Sequence, residues 1–306
     1  MGRFLLRRIV ELIPTLLVIS LIVFMMVRLI PGDVALLIAG ENARPEVVER
    51  IRVSLGLDHP VYKQYFIYLS GLLHGDLGRS IRSGQPVSHE IAARLPATLT
   101  LAFAACVIFT IVGTILGLAG GLWHHRWPDH LVRVLSLVGA SIPSFWLGVV
   151  LMLFFAVQLR WLPVAGTGGV KNLILPAVTA SLGGIALLSR LLRTSLVEVM
   201  GEDYIRTARA KGLKERLIIN RHALRNSLIP AVTVLGLEFA RLLAGVVVVE
   251  NVFAWPGLGR LLVTAINNRD YPMVQATILT FSVMLVSFNI AVDLLVGFLD
   301  PRIRYD

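Results

Sequence analysis

The sequence predicts an all-α membrane protein with six transmembrane helices, a helical external loop and a short basic helix on the cytoplasmic side. Three observations lead there. The 306 residues are 56% hydrophobic with a mean hydropathy of +0.77, more apolar than soluble domains are. The apolar residues fall into continuous runs, each near the about 20 residues a spanning helix needs. Continuous runs satisfy their backbone as helices, whereas a closed barrel needs short alternating segments. Finally, Lys and Arg gather in alternate connections between runs. The formal net charge of +10 is therefore read as the basic excess of cytoplasmic loops. It does not point to a nucleic-acid partner.

The first run extends from about Leu12 to Val27, behind Arg3, Arg7 and Arg8. It mimics a signal peptide but is long for one, and no small-residue cleavage site follows, so it reads as an uncleaved span with its N-terminus inside. The second run lies between Pro96 and Trp123, and the third from about Val134 to Leu159, where Pro143 should introduce a kink. The fourth covers about Asn172 to Ser189, the fifth Leu228 to Val249, and the sixth Tyr271 to Val292 and somewhat beyond. Six spans place both termini in the cytoplasm. The Arg193–Arg225 connection agrees, with eight Lys/Arg against four acids. The first outer connection, Pro31–Ala97, holds seven of each, a balance that long translocated loops tolerate.

That outer loop is too long to be a plain connector. Pro45 to Leu55 has helical spacing and ends at Gly56, a C-cap signal; Val61 to Leu73, rich in Tyr and Leu, is a second helical stretch. Together they predict a small helical external subdomain over residues 31–97, lying on the membrane face. In the second run Gly113 and Gly117 form a G-x-x-x-G, followed by Gly120 and Gly121, a spacing that lets helix backbones approach.

The motifs of several chemistries are missing. There is no phosphate loop of the G-x-x-x-x-G-K-[ST] type, no H-E-x-x-H and no G-x-S-x-G. The chain is not expected to be an enzyme, and no catalytic residue or metal site is assigned. His124, His125 and His130 share one short inner loop, which reads as weakly basic rather than as a metal site. The lone Cys106 lies inside an apolar run, so no internal disulfide can form. Charge within the membrane is more informative, because it is costly in lipid and faces the bundle interior or water. Glu238 and Arg241 stand three apart near the middle of the fifth run, on one helical face. They can neutralise each other, line a substrate path, or do both.

The polar stretch from Glu202 to Gly212 is a docking surface between two membrane runs. On a helix Tyr204, Ala208 and Lys211 share a face, with small Ala208 allowing close approach and Gly212 ending the helix. Here the chain resembles the inner-membrane permeases of binding-protein-dependent ABC importers, in the dipeptide/oligopeptide/nickel branch, from end to end. The resemblance is carried by Pro31-Gly32-Asp33, by Leu55-Gly56-Leu57-Asp58 with Pro60, and by Gly75-Asp76-Leu77-Gly78 with Ser80. It continues in Tyr204 to Gly212, in His222 to Pro230, in Glu250 to Gly259 with Trp255-Pro256-Gly257, in Arg269-Asp270-Tyr271-Pro272, and in Asp300 to Arg304. The Glu-Ala-Ala start of the general coupling motif reads Arg206-Thr207-Ala208, and the gap from Gly212 to Pro230 is longer than the general pattern; both departures are usual in this branch.

The resemblance implies a type I importer permease, a single permease domain over residues 1–306 with a cytoplasmic coupling loop at residues 193–228. It implies a second homologous permease, two ATP-binding subunits that use ATP and Mg, and an external substrate-binding protein, all in a bacterial inner membrane; no cofactor is bound by the chain itself. Tyr204, Arg206, Thr207, Ala208, Lys211 and Gly212 would couple to the ATPase, with Ala208 packed into its groove. Trp255, Pro256, Gly257 and Gly259 would lie at the external gate, where a cysteine at Leu258 would change accessibility during the cycle. The implied cargo is a small peptide, with a nickel chelate as the alternative. An ion-coupled secondary transporter is the alternative of another class; it would need buried relays and inverted repeats.

Overall fold

The computed structural model describes residues 2–29, 34–39, 43–54 and 56–299. The Pro31-Gly32-Asp33 motif, Leu55 and the Asp300–Arg304 ending lie outside the described residues. The described residues are mostly helical, and the one β-type contact among them is an isolated antiparallel bridge between Arg79 and Pro86. All six apolar runs are helices: α1 (Gly2–Arg28), α5 (Val87–Leu122), the pair α6 (Trp127–Ser141) and α7 (Ser144–Leu151), α8 (Val170–Gly201), α12 (Ile229–Val252) and α14 (Tyr271–Leu299). Among the described residues α5, α8 and Tyr271–Val292 are each long and apolar enough to cross a membrane alone.

The third run breaks where Pro143 was expected to kink it, and far more sharply than a kink: α6 and the α7 segment, extended by a π-helical stretch (Met152–Gln158), meet at 104°. The break follows from Pro143. A proline disfavours helical backbone in the residue before it, and Ile142 accordingly adopts φ −80, ψ 123.

The shorter helices are α2 (Val34–Ala39), α3 (Pro45–Ser54), α4 (Val61–Leu73), α9 (Asp203–Ala210), α10 (Glu215–Leu217), α11 (Leu224–Ser227) and α13 (Leu258–Asn267). Helices α3 and α4 match the two helical stretches read from residues 31–97. Gly56 takes the left-handed conformation, φ +62, and the N–H groups of Gly56 and Leu57 close back on Val53 and Arg52 at 3.0 and 2.9 Å, the backbone pattern of a glycine helix cap.

The chain forms two compact units. The first is drawn from Met1–Pro96 and Gly257–Ser287. In it α4 is held to α1: the Tyr65 ring meets Phe24 edge-on at 5.3 Å, and Arg28 Nε, its guanidinium lying over Phe24 of the same helix at 3.5 Å, donates to Gln64 at 2.8 Å. Its core joins Val87 and Ile91 of α5 to Leu258, Leu261 and Ala265 of α13 and to Met273, Val274 and Ala276 of α14. Two motifs distant in sequence meet here. Asp270 accepts a short hydrogen bond from the Ser80 hydroxyl, and a second from the Ile81 N–H at 3.2 Å.

The second unit is drawn from Ala97–Pro256 and residues 288–299. In it α8 packs against α6, α7 and α12, and α5 approaches α8 closely. A Cβ placed on Gly113, Gly117 or Gly121 would stand 3.1, 2.7 or 2.8 Å from Leu188, Leu192 or Leu196 respectively. These glycines recur every fourth residue, so they form one stripe of a helix. A Cβ on Gly120 would meet first Val132 of α6, at 3.2 Å, and then the Arg193 side chain of α8, at 3.4 Å.

Candidate functional site: the α8–α12 connection and the cavity beside it

Helix α8 runs through to Gly201, and after Glu202 the chain restarts as α9. Asp203 sits in the first turn of α9 and Arg209 in the last, each favourable to the helix dipole. Gly212, at φ +75, ends the segment. Its N–H bonds the Arg209 carbonyl at 2.9 Å and the Leu213 N–H bonds that of Ala208 at 3.3 Å, which satisfies carbonyls the helix would otherwise leave open. Gly212 thus terminates this helix as its sequence suggests.

Ile205 and Ala208 point inward, into a core with Leu196, Ile218 and Ala223. Ala208 is only 7% exposed. This corrects the expectation that Ala208 makes the close outward contact: its small size seats α9 on this chain's own core. Tyr204, Arg206, Thr207 and Lys211 are exposed. The Tyr204 hydroxyl accepts from Asn226 Nδ2 at 2.9 Å, and Arg209 pairs with Glu215 at 2.6 Å across the glycine turn. The Arg209 guanidinium holds the Glu215 carboxyl below its usual range. A π-helical stretch (Ile218–Ala223) and α11 then lead into α12.

The Glu238–Arg241 pair is present, Arg241 Nη1 donating to Glu238 Oε1 at 3.1 Å. Its members differ sharply: the Glu238 side chain is 7% exposed and that of Arg241 76%. Both line a cavity of about 300 Å³ together with Arg190, Phe109, Ser144 and Leu242. Arg190 is a cavity residue that the sequence reading missed, because it lies at the edge of its apolar run.

Trp255 is buried, and its indole N–H donates to the Ala97 carbonyl at 2.9 Å. Its backbone N–H closes the end of α12 on the Glu250 carbonyl at 2.8 Å. Fully buried Glu250 accepts from the Thr98 hydroxyl at 2.6 Å. Pro256 and Gly257 lead into α13, where Gly259 is buried. Leu258 is fully buried in the core of the first unit.

A further cluster escaped the sequence. Asp129, fully buried, accepts from Arg133 at 2.7 Å and from Arg193 of α8 at 3.1 Å, and its second oxygen makes a short bond to Arg193 Nε. It also accepts the His125 N–H at 3.0 Å, fixing a turn in which His125 has φ 63. Offered ligand atoms of His124, His125 and Asp129 lie within 4.8 Å of one another. A cation there would compete with two guanidinium groups already on the carboxylate, so the cluster reads as an ionic clamp between α6 and α8.

Two families match the chain: the binding-protein-dependent transport system inner membrane component over residues 110–305, and the N-terminal part of the membrane component of such systems over residues 1–102. The chain is 45% identical over 305 residues to the glutathione transport system permease protein GsiC of Salmonella typhimurium, and equally to that of Escherichia coli (strain K12), covering 100% of each protein. Solved folds agree. An inward-facing MetNI methionine ABC transporter chain superimposes with a TM-score of 0.58 at 18% identity, covering 69% of this chain and 96% of that one. A chain of an amino acid ABC transporter with histidines gives 0.55 at 16%, covering 68% and 93%. The chain belongs to the inner-membrane components of binding-protein-dependent transport systems, the permeases of ABC importers.

Proposed function

We propose that this permease forms, with a homologous partner permease, the membrane path for a small peptide delivered by an external binding protein. Two ATP-hydrolysing subunits drive it through α9. The observation that carries the reading is the build of α9: a short basic helix, seated by Ile205 and Ala208 and stopped at Gly212, with Tyr204, Arg206, Thr207 and Lys211 turned outward. A rigidly seated helix between α8 and α12 passes a push from a docked subunit directly into two long helices. In this reading α9 and both termini face the cytoplasm, α2 to α4 lie outside, Glu238 and Arg241 line the path, and the Trp255–Gly259 segment borders the external gate. A glutathione-like tripeptide is the cargo favoured by the relatives at 45% identity. No observation favours nickel: the His124, His125 and Asp129 group lies at the ionic clamp.

The test is to reverse the outward charges of α9, Arg206→Glu with Lys211→Glu, in a complex reconstituted with its partners. Both side chains are exposed, so the permease should fold and assemble with its partner permease. ATP-driven uptake of glutathione should fall at least tenfold, with loss of ATPase-subunit binding. Normal uptake and normal subunit binding would refute the docking role.

A further inference from the structure

We propose that the cavity lined by α8 and α12 is a carboxylate-reading station on the path, with Arg190 and Arg241 as donors and Glu238 as their counter-charge. The inference rests on the importer reading above and adds the chemistry the path recognises. Arg241 stands halfway along the 24-residue α12, where exposure of a guanidinium to lipid costs several kcal/mol. At 76% exposed it must face water or a partner. Only part of its donor capacity is spent, on Glu238 at 3.1 Å. Among the described residues the Arg190 guanidinium makes one long hydrogen bond, to the Ser136 carbonyl at 3.4 Å. Two arginines and one glutamate line the cavity, so its formal side-chain charge is one positive in excess. Planar guanidinium forks with unspent N–H groups match a carboxylate in geometry as well as charge.

The rest of the cavity suits such a guest. Phe109, Leu187, Leu242 and Val249 supply apolar wall, which lowers the local dielectric and strengthens the charge contact. Gly183 and Gly245 form open floor: a Cβ added at either would meet nothing within 4 Å. A volume of about 300 Å³ is at the small end for ligand sites, enough for one terminus of a peptide rather than a whole chain. Glu238, nearly buried, keeps its carboxylate paired with Arg241 at 3.1 Å.

The charge of the cavity can be read without any cargo. In the assembled complex, with Cys106→Ala, a reporter cysteine is introduced by Gly183→Cys. It is labelled with sulfonatoethyl and with trimethylammonioethyl methanethiosulfonate, each rate divided by that of the same reagent on free cysteine. The anionic reagent should react about tenfold faster than the cationic one by this measure. Arg190→Gln should bring the ratio near one, Arg190→Lys should preserve it, and Glu238→Gln should raise it. With Gly183 and Cys106 unchanged, Arg190→Gln should slow glutathione uptake several-fold at unchanged assembly, and Arg190→Lys should restore part of it. A ratio near one in the parent, or a ratio that Arg190→Gln shifts without slowing uptake, would overturn the proposal. If the parent complex imports no glutathione, the cargo reading fails instead, and the labelling ratio still decides whether the cavity gathers anions.

Discussion

Replacing Gly117 by Ala tests the close approach of α5 to α8. The added Cβ would lie 2.7 Å from the Leu192 Cβ and 2.9 Å from the Ser189 carbonyl oxygen. Neither atom can swing away, since one is fixed to the backbone and the other belongs to it. Restoring ordinary contact near 3.4 Å requires the helices to part by roughly 0.7 Å. Overpacking of this kind costs about 1–3 kcal/mol, partly offset by the about 0.5–1 kcal/mol that Ala gains over Gly within a helix. The expected net loss is about 1–2 kcal/mol. At about 2–4 °C per kcal/mol for a chain of this order of size, the midpoint should fall by several degrees. Gly183→Ala is the matched control: it also lies inside a helix, but its Cβ meets nothing, so stability should hold or rise slightly. The assay is thermal unfolding of the detergent-purified permease, followed by a thiol-reactive fluorophore at Cys106, the one cysteine of the chain, itself partly buried on α5. A Gly117→Ala midpoint equal to that of Gly183→Ala would refute the packing argument.

Asp129→Asn should destabilise the permease by about 3 kcal/mol, because Arg193, with a side chain 15% exposed, loses its buried counter-ion. Asp129→Leu combined with Arg193→Met should recover most of the loss in the same thermal assay, and failure to recover would show that the clamp does more than balance charge. In the first unit, Asp270→Asn weakens the hold on Ser80 and Ile81, so the turn around Arg82 should become sensitive to trypsin while the helices remain resistant. Unchanged cleavage would mean that the local bonds from Ser80 to Gln85 and from Val87 to Gly78, at 3.0 Å each, hold the turn unaided.

The features legible in the sequence are those set by chain neighbours. Six apolar runs became helices because a continuous apolar stretch can satisfy its backbone in lipid only that way. The ends of α3 and α9 were readable at Gly56 and Gly212, because a left-handed residue after a helix favours glycine. The pairing of Glu238 with Arg241 needed only helical spacing.

Tertiary structure decided what depends on residues far apart in the chain. Pro143 marks a break, yet nothing near it specifies 104°, which depends on how α6 and α7 each pack on α8. Tyr204 and Ala208 lie on adjacent turns of one helix, and only the core formed by Leu196, Ile218 and Ala223 turns Ala208 inward. Four glycines crowd the second run, but the side chains of α8 select Gly113, Gly117 and Gly121 as the contact stripe. Arg193 reaches Asp129 across 64 residues, and Ser80 reaches Asp270 across 190. A sequence window sees hydropathy, period and turn chemistry, which are local. Which buried charge meets which, and which face of a helix a neighbour covers, are settled only when distant segments pack and unpaired polar groups must find partners.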